Sequence, residues 1–124
     1  MMKSIGLDIV STERIRRAYA QHGERFSRRI LGPNELELFD RRVDKAEFLA
    51  GRFSAKEAII KALGRFLENR PEMSSVQIVN DNSGQPYVMF PPDINEQLVG
   101  HLCMISISHE KTNTAAVAVI VEDK

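Results

Sequence analysis

The chain has 124 residues, 43% of them hydrophobic and 27% charged, which is typical of one soluble globular domain spanning residues 1–124. Its 17 basic residues balance its 17 acidic residues, so the net charge gives no reason to expect binding to nucleic acid or to a membrane. The single cysteine excludes a disulfide within the chain. Because we also expect no signal peptide and no membrane span, the predicted location is the cytoplasm.

The first predicted element is a strand over residues 3–10, in which Asp8 is the unexpected residue. Ile5, Leu7 and Ile9 share one face of this strand, so Asp8 projects from the opposite face. Aspartate is unfavourable in strands, and a buried carboxylate needs a partner. Asp8 is therefore either a functional ligand, a cap for the following helix, or the acceptor of a structural hydrogen bond.

Three helices are predicted to follow this strand. The first begins at Ser11 or Thr12, either of which can cap it, and ends at Gly23. The second is a short turn over residues 24–31, and the third covers residues 34–41. Six arginines lie in sixteen residues of this region: Arg14, Arg16, Arg17, Arg25, Arg28 and Arg29. This local positive charge fits an acidic partner, and the alternative is a solvated helical face.

The longest predicted helix begins at Asp44, where Glu47 completes a capping-box pattern, and runs to about Phe66. Glu57 and Lys61 lie together, off the apolar side of this helix. The simplest interpretation of these two residues alone is an ion pair on the helix surface.

Arg52 and Lys56 have a different setting in the same helix, because both fall within its apolar arc. A charged side chain there must extend to solvent, find a charged partner, or face a ligand or a subunit interface. The helical pattern leaves these possibilities open.

The remaining predicted elements are four strands and a short helix: strands at 76–79, 86–90, 102–108 and 115–121, and a helix from 91 to 100. We expect Pro86 to start an edge strand, and the last two strands to form a hairpin in the centre of a sheet. His109, at a strand end, is a base, a phosphate contact or a surface residue. The irregular order of helices and strands indicates an α+β fold, with an antiparallel sheet against one long helix and several short ones.

Asp8 and Glu57 give the main functional hypothesis. A carboxylate from a strand and one from a helix can meet over a hard cation such as Mg²⁺, which prefers oxygen ligands. Lys61, one turn after Glu57, would add a positive charge for a substrate that carries phosphates. The sequence contains no Walker loop, dinucleotide fingerprint or zinc-ligand spacing.

Several segments together resemble the holo-acyl-carrier-protein synthases, the small single-domain branch of the 4′-phosphopantetheinyl transferases. The segments are IGLDIV (5–10), RIL (29–31), FLAGRFSAKEA (48–58), KALG (61–64), SGQPY (83–87) and ISISHE (105–110). The resemblance runs from about Ile5 to Val121, and residues 52–61 are its most specific part. It implies transfer of the phosphopantetheine group of coenzyme A to a serine of apo-acyl carrier protein, in fatty acid biosynthesis. The second product is adenosine 3′,5′-bisphosphate.

The resemblance also implies roles for individual residues. Asp8 and Glu57 match Mg²⁺ ligands, Lys61 matches a lysine beside the pyrophosphate, and Glu57 or a metal-bound water would take the serine proton. Five residues match the coenzyme A site: Arg52, Lys56, Gly64, Pro86 and His109. Four match the surface that holds the acidic helix of the carrier protein: Arg14, Arg25, Phe26 and Arg29. The family forms homotrimers, with each active site between adjacent subunits.

One segment departs from the family pattern. Gly64 is followed by RFLENR (65–70), where family members usually have a small residue and a second glycine. This difference bears on coenzyme A affinity. Two alternative functions stay open: a non-catalytic module that binds coenzyme A or carrier protein, and another Mg²⁺-dependent phosphate enzyme such as a nucleotide hydrolase.

Overall fold

The first strand and the longest helix of the chain set the position of the candidate site. The computed structural model describes residues 1–123. The elements follow the chain in this order: β1 Met2–Ser11, α1 Thr12–His22, α2 Glu24–Ile30, α3 Pro33–Asp40, α4 Lys45–Leu63, a 3₁₀ turn Met73–Ser75, β2 Gln77–Asn80, β3 Pro86–Met89, α5 Pro92–Gln97, β4 His101–His109 and β5 Asn113–Glu122. The predicted mixture of helices and antiparallel strands is therefore present.

The main sheet has the strand order β1-β5-β4, with antiparallel pairing throughout. Strand β5 is central, but β4 lies at an edge within the described residues, so the prediction of two central strands was wrong for β4. The second neighbour of β5 is β1, which is far away in sequence and pairs with Asp8 opposite Ala116. Strand β5, and not β4, therefore lies between two strands. Strands β2 and β3 form a separate two-stranded sheet, and Pro86 begins its edge strand as predicted.

Helix α4 crosses the inner face of the main sheet and contacts β1 very closely at Gly6. A Cβ atom on Gly6 would lie 1.9 Å from the carbonyl oxygen of Ala58, so a residue with a side chain cannot take this position without moving the strand. One turn further along α4, the hydroxyl of Ser4 donates a hydrogen bond of 2.7 Å to the carbonyl of Ala62. Strand β1 and α4 are thus held together at backbone distance.

Helix α4 is buried along most of its length because apolar clusters cover it on two sides. The cluster on the sheet side includes Ile59, Leu63, Ile78, Ala118 and Ile120. The cluster under α1 to α3 includes Ile15, Ile30, Phe39, Phe48 and Leu49. A helix with apolar residues on so many sides is typical of the centre of a domain.

The ends of the helices follow local signals, with one exception. Ser11 caps α1, and Asp44 caps α4 by accepting a 3.0 Å hydrogen bond from the Glu47 amide. Helix α4 ends at Leu63, earlier than the predicted end at Phe66. After Leu63 the chain turns so that the Phe66 ring packs on the apolar cluster of the sheet side, which ends the helix.

The outer face of the main sheet carries exposed aliphatic side chains. Ile5, Leu7 and Ile9 on β1 are 58%, 65% and 66% exposed, and Leu102 and Met104 on β4 are about half exposed. Between these strands, β5 adds its outward-facing valines. We call this surface the outer sheet face. Among residues 1–123, no helix has the combination of length and apolar character needed to cross a bilayer.

Candidate active site

Asp8 lies on the inner face of β1, where its carboxylate meets a lysine of α4. Lys61 Nζ is 3.3 Å from Asp8 Oδ1 and donates a 2.8 Å hydrogen bond to the carbonyl of Leu7. The Asp8 side chain is 16% exposed, so a bound molecule can reach it from solvent. Asp8 does not cap α1, because the Ser11 hydroxyl fills that role.

Glu57 projects from the same helix and is paired with a residue that the sequence analysis did not assign. Its Oε1 atom accepts a hydrogen bond from Nη2 of Arg70. Glu57 and Lys61 therefore have separate partners, and the simple interpretation of a Glu57–Lys61 ion pair does not describe their contacts. Arg70 belongs to the segment 65–70 that departs from the family pattern, which was the available signal in the sequence.

The donor set of Asp8 and Glu57 fits a hard divalent cation. Both are carboxylates, on adjacent elements, and each is paired with a largely exposed basic side chain that can turn away into solvent. Within residues 1–123, no group of three or more acidic, histidine or cysteine side chains forms a complete cation cage. Mg²⁺ typically binds one or two carboxylates and completes its coordination with water and substrate phosphates, so two carboxylates are sufficient.

A cavity of about 700 Å³ joins Glu57 to helix α2. Its walls include Phe26, Arg28 and Arg29 of α2 on one side, with Glu57 and Arg70 on the other. This cavity places two of the predicted carrier-protein residues, Phe26 and Arg29, beside one of the two acids.

The arginines of α1 and α2 differ in their partners. Arg28 pairs with Glu24. Arg14, Arg25 and Arg29 are exposed, and no acidic side chain among residues 1–123 forms an ion pair with them. Nη2 of Arg25 lies 3.5 Å from Nδ1 of His22. Arginines without an acidic partner in their own chain are available to bind carboxylates of another molecule.

Arg52 and Lys56 both turn inward to a buried glutamate of α3. Glu35 Oε1 is 2.5 Å from Lys56 Nζ, and Glu35 Oε2 is 3.4 Å from Arg52 Nε. Lys56 also donates a hydrogen bond to the carbonyl of Ile30. The two Glu35 oxygens accept hydrogen bonds from the amides of Gly32 and Ile78 as well. We call Glu35, Lys56 and Arg52 the buried ion cluster.

Burial changes the proton affinity of the two basic members of this cluster. It lowers the pKa of Lys56 from 10.5 to about 8, although the neighbouring Glu35 carboxylate acts in the opposite direction. Burial likewise lowers the pKa of the Arg52 guanidinium, which lies 4.5 Å from the centre of the Phe48 ring. Of the possibilities that the helical pattern left open, the structure shows a charged partner inside the protein for both Arg52 and Lys56.

The other predicted coenzyme A residues are spread over the chain. Gly64 follows α4, close in sequence to Lys61. The His109 ring packs against Gly51, where a Cβ would lie 3.0 Å from the ring, and its Nδ1 is 3.1 Å from Thr114 Oγ1. Gly51 and Gly64 are separated by about 20 Å along the axis of α4. Gly51 lies six residues before Glu57 in α4 and Gly64 seven residues after it, so His109 and Gly64 lie on opposite sides of Glu57 along the helix.

Comparisons with known proteins give a consistent result. The family described as the 4′-phosphopantetheinyl transferase superfamily matches residues 4–120. The holo-[acyl-carrier-protein] synthase of Herminiimonas arsenicoxydans is 40% identical over 131 residues, covering 100% of both chains. The crystal structure of the Neisseria meningitidis synthase is 34% identical with a TM-score of 0.87, covering 98% of this chain and 100% of that one. The Helicobacter pylori synthase in complex with coenzyme A is 29% identical with a TM-score of 0.81, covering 94% and 99%. The predicted α+β fold is confirmed.

Proposed function

The chain belongs to the 4′-phosphopantetheinyl transferase superfamily, and we propose its activity and its site on that premise. It transfers the 4′-phosphopantetheine group of coenzyme A to a serine of apo-acyl carrier protein, in fatty acid biosynthesis. The products are holo-acyl carrier protein and adenosine 3′,5′-bisphosphate. This is the activity that names the relatives covering nearly the whole chain, and one of them is known in complex with coenzyme A.

The observation that carries the site assignment is the cavity between Glu57 and helix α2. Transfer needs the serine of one protein to meet the pyrophosphate of coenzyme A. The arginines of α2 that line this cavity can bind the carboxylates of an acidic protein. Glu57, which also lines it, can bind a cation that in turn binds phosphate. The carrier protein would therefore dock on Arg14, Arg25, Phe26 and Arg29.

Asp8, Glu57 and Lys61 would have separate roles in the proposed reaction. Asp8 and Glu57 would hold Mg²⁺, which neutralises negative charge on the pyrophosphate when bound. Lys61 would exchange Asp8 Oδ1 for a phosphate oxygen, adding positive charge where the leaving group forms. The attacking serine hydroxyl would lose its proton to Glu57 or to water in the site.

We assign coenzyme A binding to Arg52, Gly64, Pro86 and His109, with Lys56 in an indirect role. The Lys56 side chain is fully buried and paired with Glu35, so it cannot contact a ligand in this arrangement. It would hold Glu35 and thereby orient Arg52, the member of the buried ion cluster that lies nearest the surface.

We also propose a homotrimer with active sites between subunits. Two observations support this arrangement. The predicted coenzyme A residues are dispersed, with His109 beside Gly51 and Gly64 about 20 Å further along α4, so residues of two chains would complete one site more readily than residues of one. The outer sheet face is also apolar, and a large apolar surface is typical of a permanent interface. A single domain over residues 1–124 and a cytoplasmic location complete the proposal.

A mass-shift assay tests the proposed function. Apo-acyl carrier protein incubated with coenzyme A, Mg²⁺ and this protein should gain the mass of one phosphopantetheine group, and Glu57→Gln should abolish the gain. Calorimetric binding of coenzyme A without any mass gain would instead indicate a binding module. Phosphate release from nucleotides, again without mass gain, would indicate a hydrolase.

A further inference from the structure

Arg70 is a charged residue beside Glu57, and the proposed function assigns it no role. Its guanidinium donates to Glu57 Oε1, and its side chain is 58% exposed. Arg70 lines the cavity of about 700 Å³ that leads to α2, and also a neighbouring cavity of about 560 Å³. It therefore lies where the two cavities meet, beside Glu57.

The Arg70–Glu57 pair conflicts with cation binding at the same carboxylate. A guanidinium and a divalent cation that approach one carboxylate repel each other, and each competes for its oxygens. A cation that binds Glu57 must therefore displace Arg70 or accept a lower affinity. Because Arg70 is more than half exposed, it can turn away without disturbing buried residues.

A displaced Arg70 remains in a cavity that suits an anion. The cavity wall also carries Arg28 and Arg29, opposed by Glu72. A substrate phosphate held by the cation would lie beside Glu57, the former partner of Arg70. Arginine binds phosphate oxygens in the same two-pronged geometry that it uses for carboxylates.

We propose that Arg70 exchanges Glu57 for a phosphate of the substrate when the divalent cation binds. In the absence of cation it neutralises Glu57, and in the loaded site it binds the phosphate-bearing substrate. This inference rests on the proposed function, because it requires Glu57 to bind the cation. Arg70 should therefore have two opposite effects. It weakens binding of the cation alone, and it strengthens binding of coenzyme A.

The test compares Arg70→Gln with Arg65→Gln, a charge-matched control in the same segment. Mn²⁺ alone is titrated into each protein, and bound and free ion are measured by electron paramagnetic resonance. Arg70→Gln should bind Mn²⁺ about two- to five-fold more tightly than the wild type, the contribution of an exposed ion pair. With saturating Mg²⁺, its KM for coenzyme A should rise by about ten-fold, the contribution of a hydrogen bond between charged groups. Arg65→Gln should change neither value.

Glu57→Gln separates the possible failures. The metal site stands if the wild type binds Mn²⁺ and Glu57→Gln does not. If, in that case, Arg70→Gln changes neither the Mn²⁺ affinity nor the KM for coenzyme A, the role of Arg70 is overturned. If Arg70→Gln lowers both affinities, Arg70 is structural and the inference is equally overturned. If the wild type does not bind Mn²⁺ at all, the metal site is wrong, and the inference is overturned with it.

Discussion

At the scale of single residues, Asp8 and Glu57 offer a way to separate chemistry from folding. Asp8→Asn and Glu57→Gln keep the shape of each side chain but remove its charge. We expect each to lower the rate of transfer by at least about 100-fold, as loss of a group that stabilises developing charge does elsewhere. Because the partners Lys61 and Arg70 are more than half exposed, the loss of each ion pair should cost only about 1 kcal/mol of stability. Carrier-protein mass spectrometry and thermal melts measure the two effects, and activity within a few-fold of the wild type would contradict the assignment.

Cys103 gives a residue-scale prediction that depends on pH. Burial raises the pKa of its thiol from 9.0 to about 12. At pH 8 the folded protein should therefore react with iodoacetamide roughly 1000-fold more slowly than the same protein in denaturant, because only the thiolate reacts. Between pH 9 and 12 the unfolded chain binds fewer protons at this residue than the folded chain, so the free energy of unfolding should fall as the pH rises. Equal labelling rates in both states would show that Cys103 is accessible.

At the scale of elements, the buried ion cluster joins α3 to α4. Glu35→Gln leaves Lys56 and Arg52 buried without a negative charge, which should lower the free energy of unfolding by about 3–5 kcal/mol. Glu37→Gln is the matched control, because Glu37 lies on the same helix but is exposed. Denaturant titration of both variants measures the difference. Equal stabilities would mean that the cluster contributes little to the contact between the helices.

Helix α2 should determine how strongly the carrier protein binds. Arg29→Ala should raise the KM for carrier protein several-fold with little change in kcat, and should weaken the dependence of KM on salt. Arg28→Ala is the comparison, because Arg28 already pairs with Glu24 and should contribute less. Steady-state kinetics at two salt concentrations distinguish the variants. A fall in kcat with unchanged KM would place Arg29 in the chemistry instead.

Local signals in the sequence were enough to predict most elements, because Ser11, Gly23 and Asp44 act on their own neighbours along the chain. Contacts between distant segments were harder to predict. Nothing near Glu35 in sequence indicates that its carboxylate turns inward to Lys56, and the signal for Arg70 was no more than the departure of residues 65–70 from the family pattern. The end of α4 was missed for the same reason, since Phe66 leaves the helix to pack on a sheet formed by other parts of the chain.

At the scale of the whole molecule, the outer sheet face predicts assembly. Leu7→Lys puts a charge in the middle of this face without touching the core of one chain, since Leu7 is 65% exposed. We expect light scattering to show a trimer for the wild type and a monomer for Leu7→Lys, with loss of transfer activity. Val43→Lys, at a fully exposed residue outside the sheet, should remain trimeric. A Leu7→Lys protein with the mass and activity of the wild type would exclude this face as the interface.

Gly6 is a position at which the packing of β1 on α4 excludes any side chain. A methyl group at that position would overlap the carbonyl oxygen of Ala58, and β1 would have to shift away from α4 to make room. Asp8, two residues later on the same strand, would move with it, away from Lys61 and Glu57. Gly6, which has no reactive side chain, thus fixes the distance between Asp8 on β1 and the two charged residues of α4. Substitutions at Gly6 would therefore weaken the packing of β1 on α4 and lower the rate of transfer together.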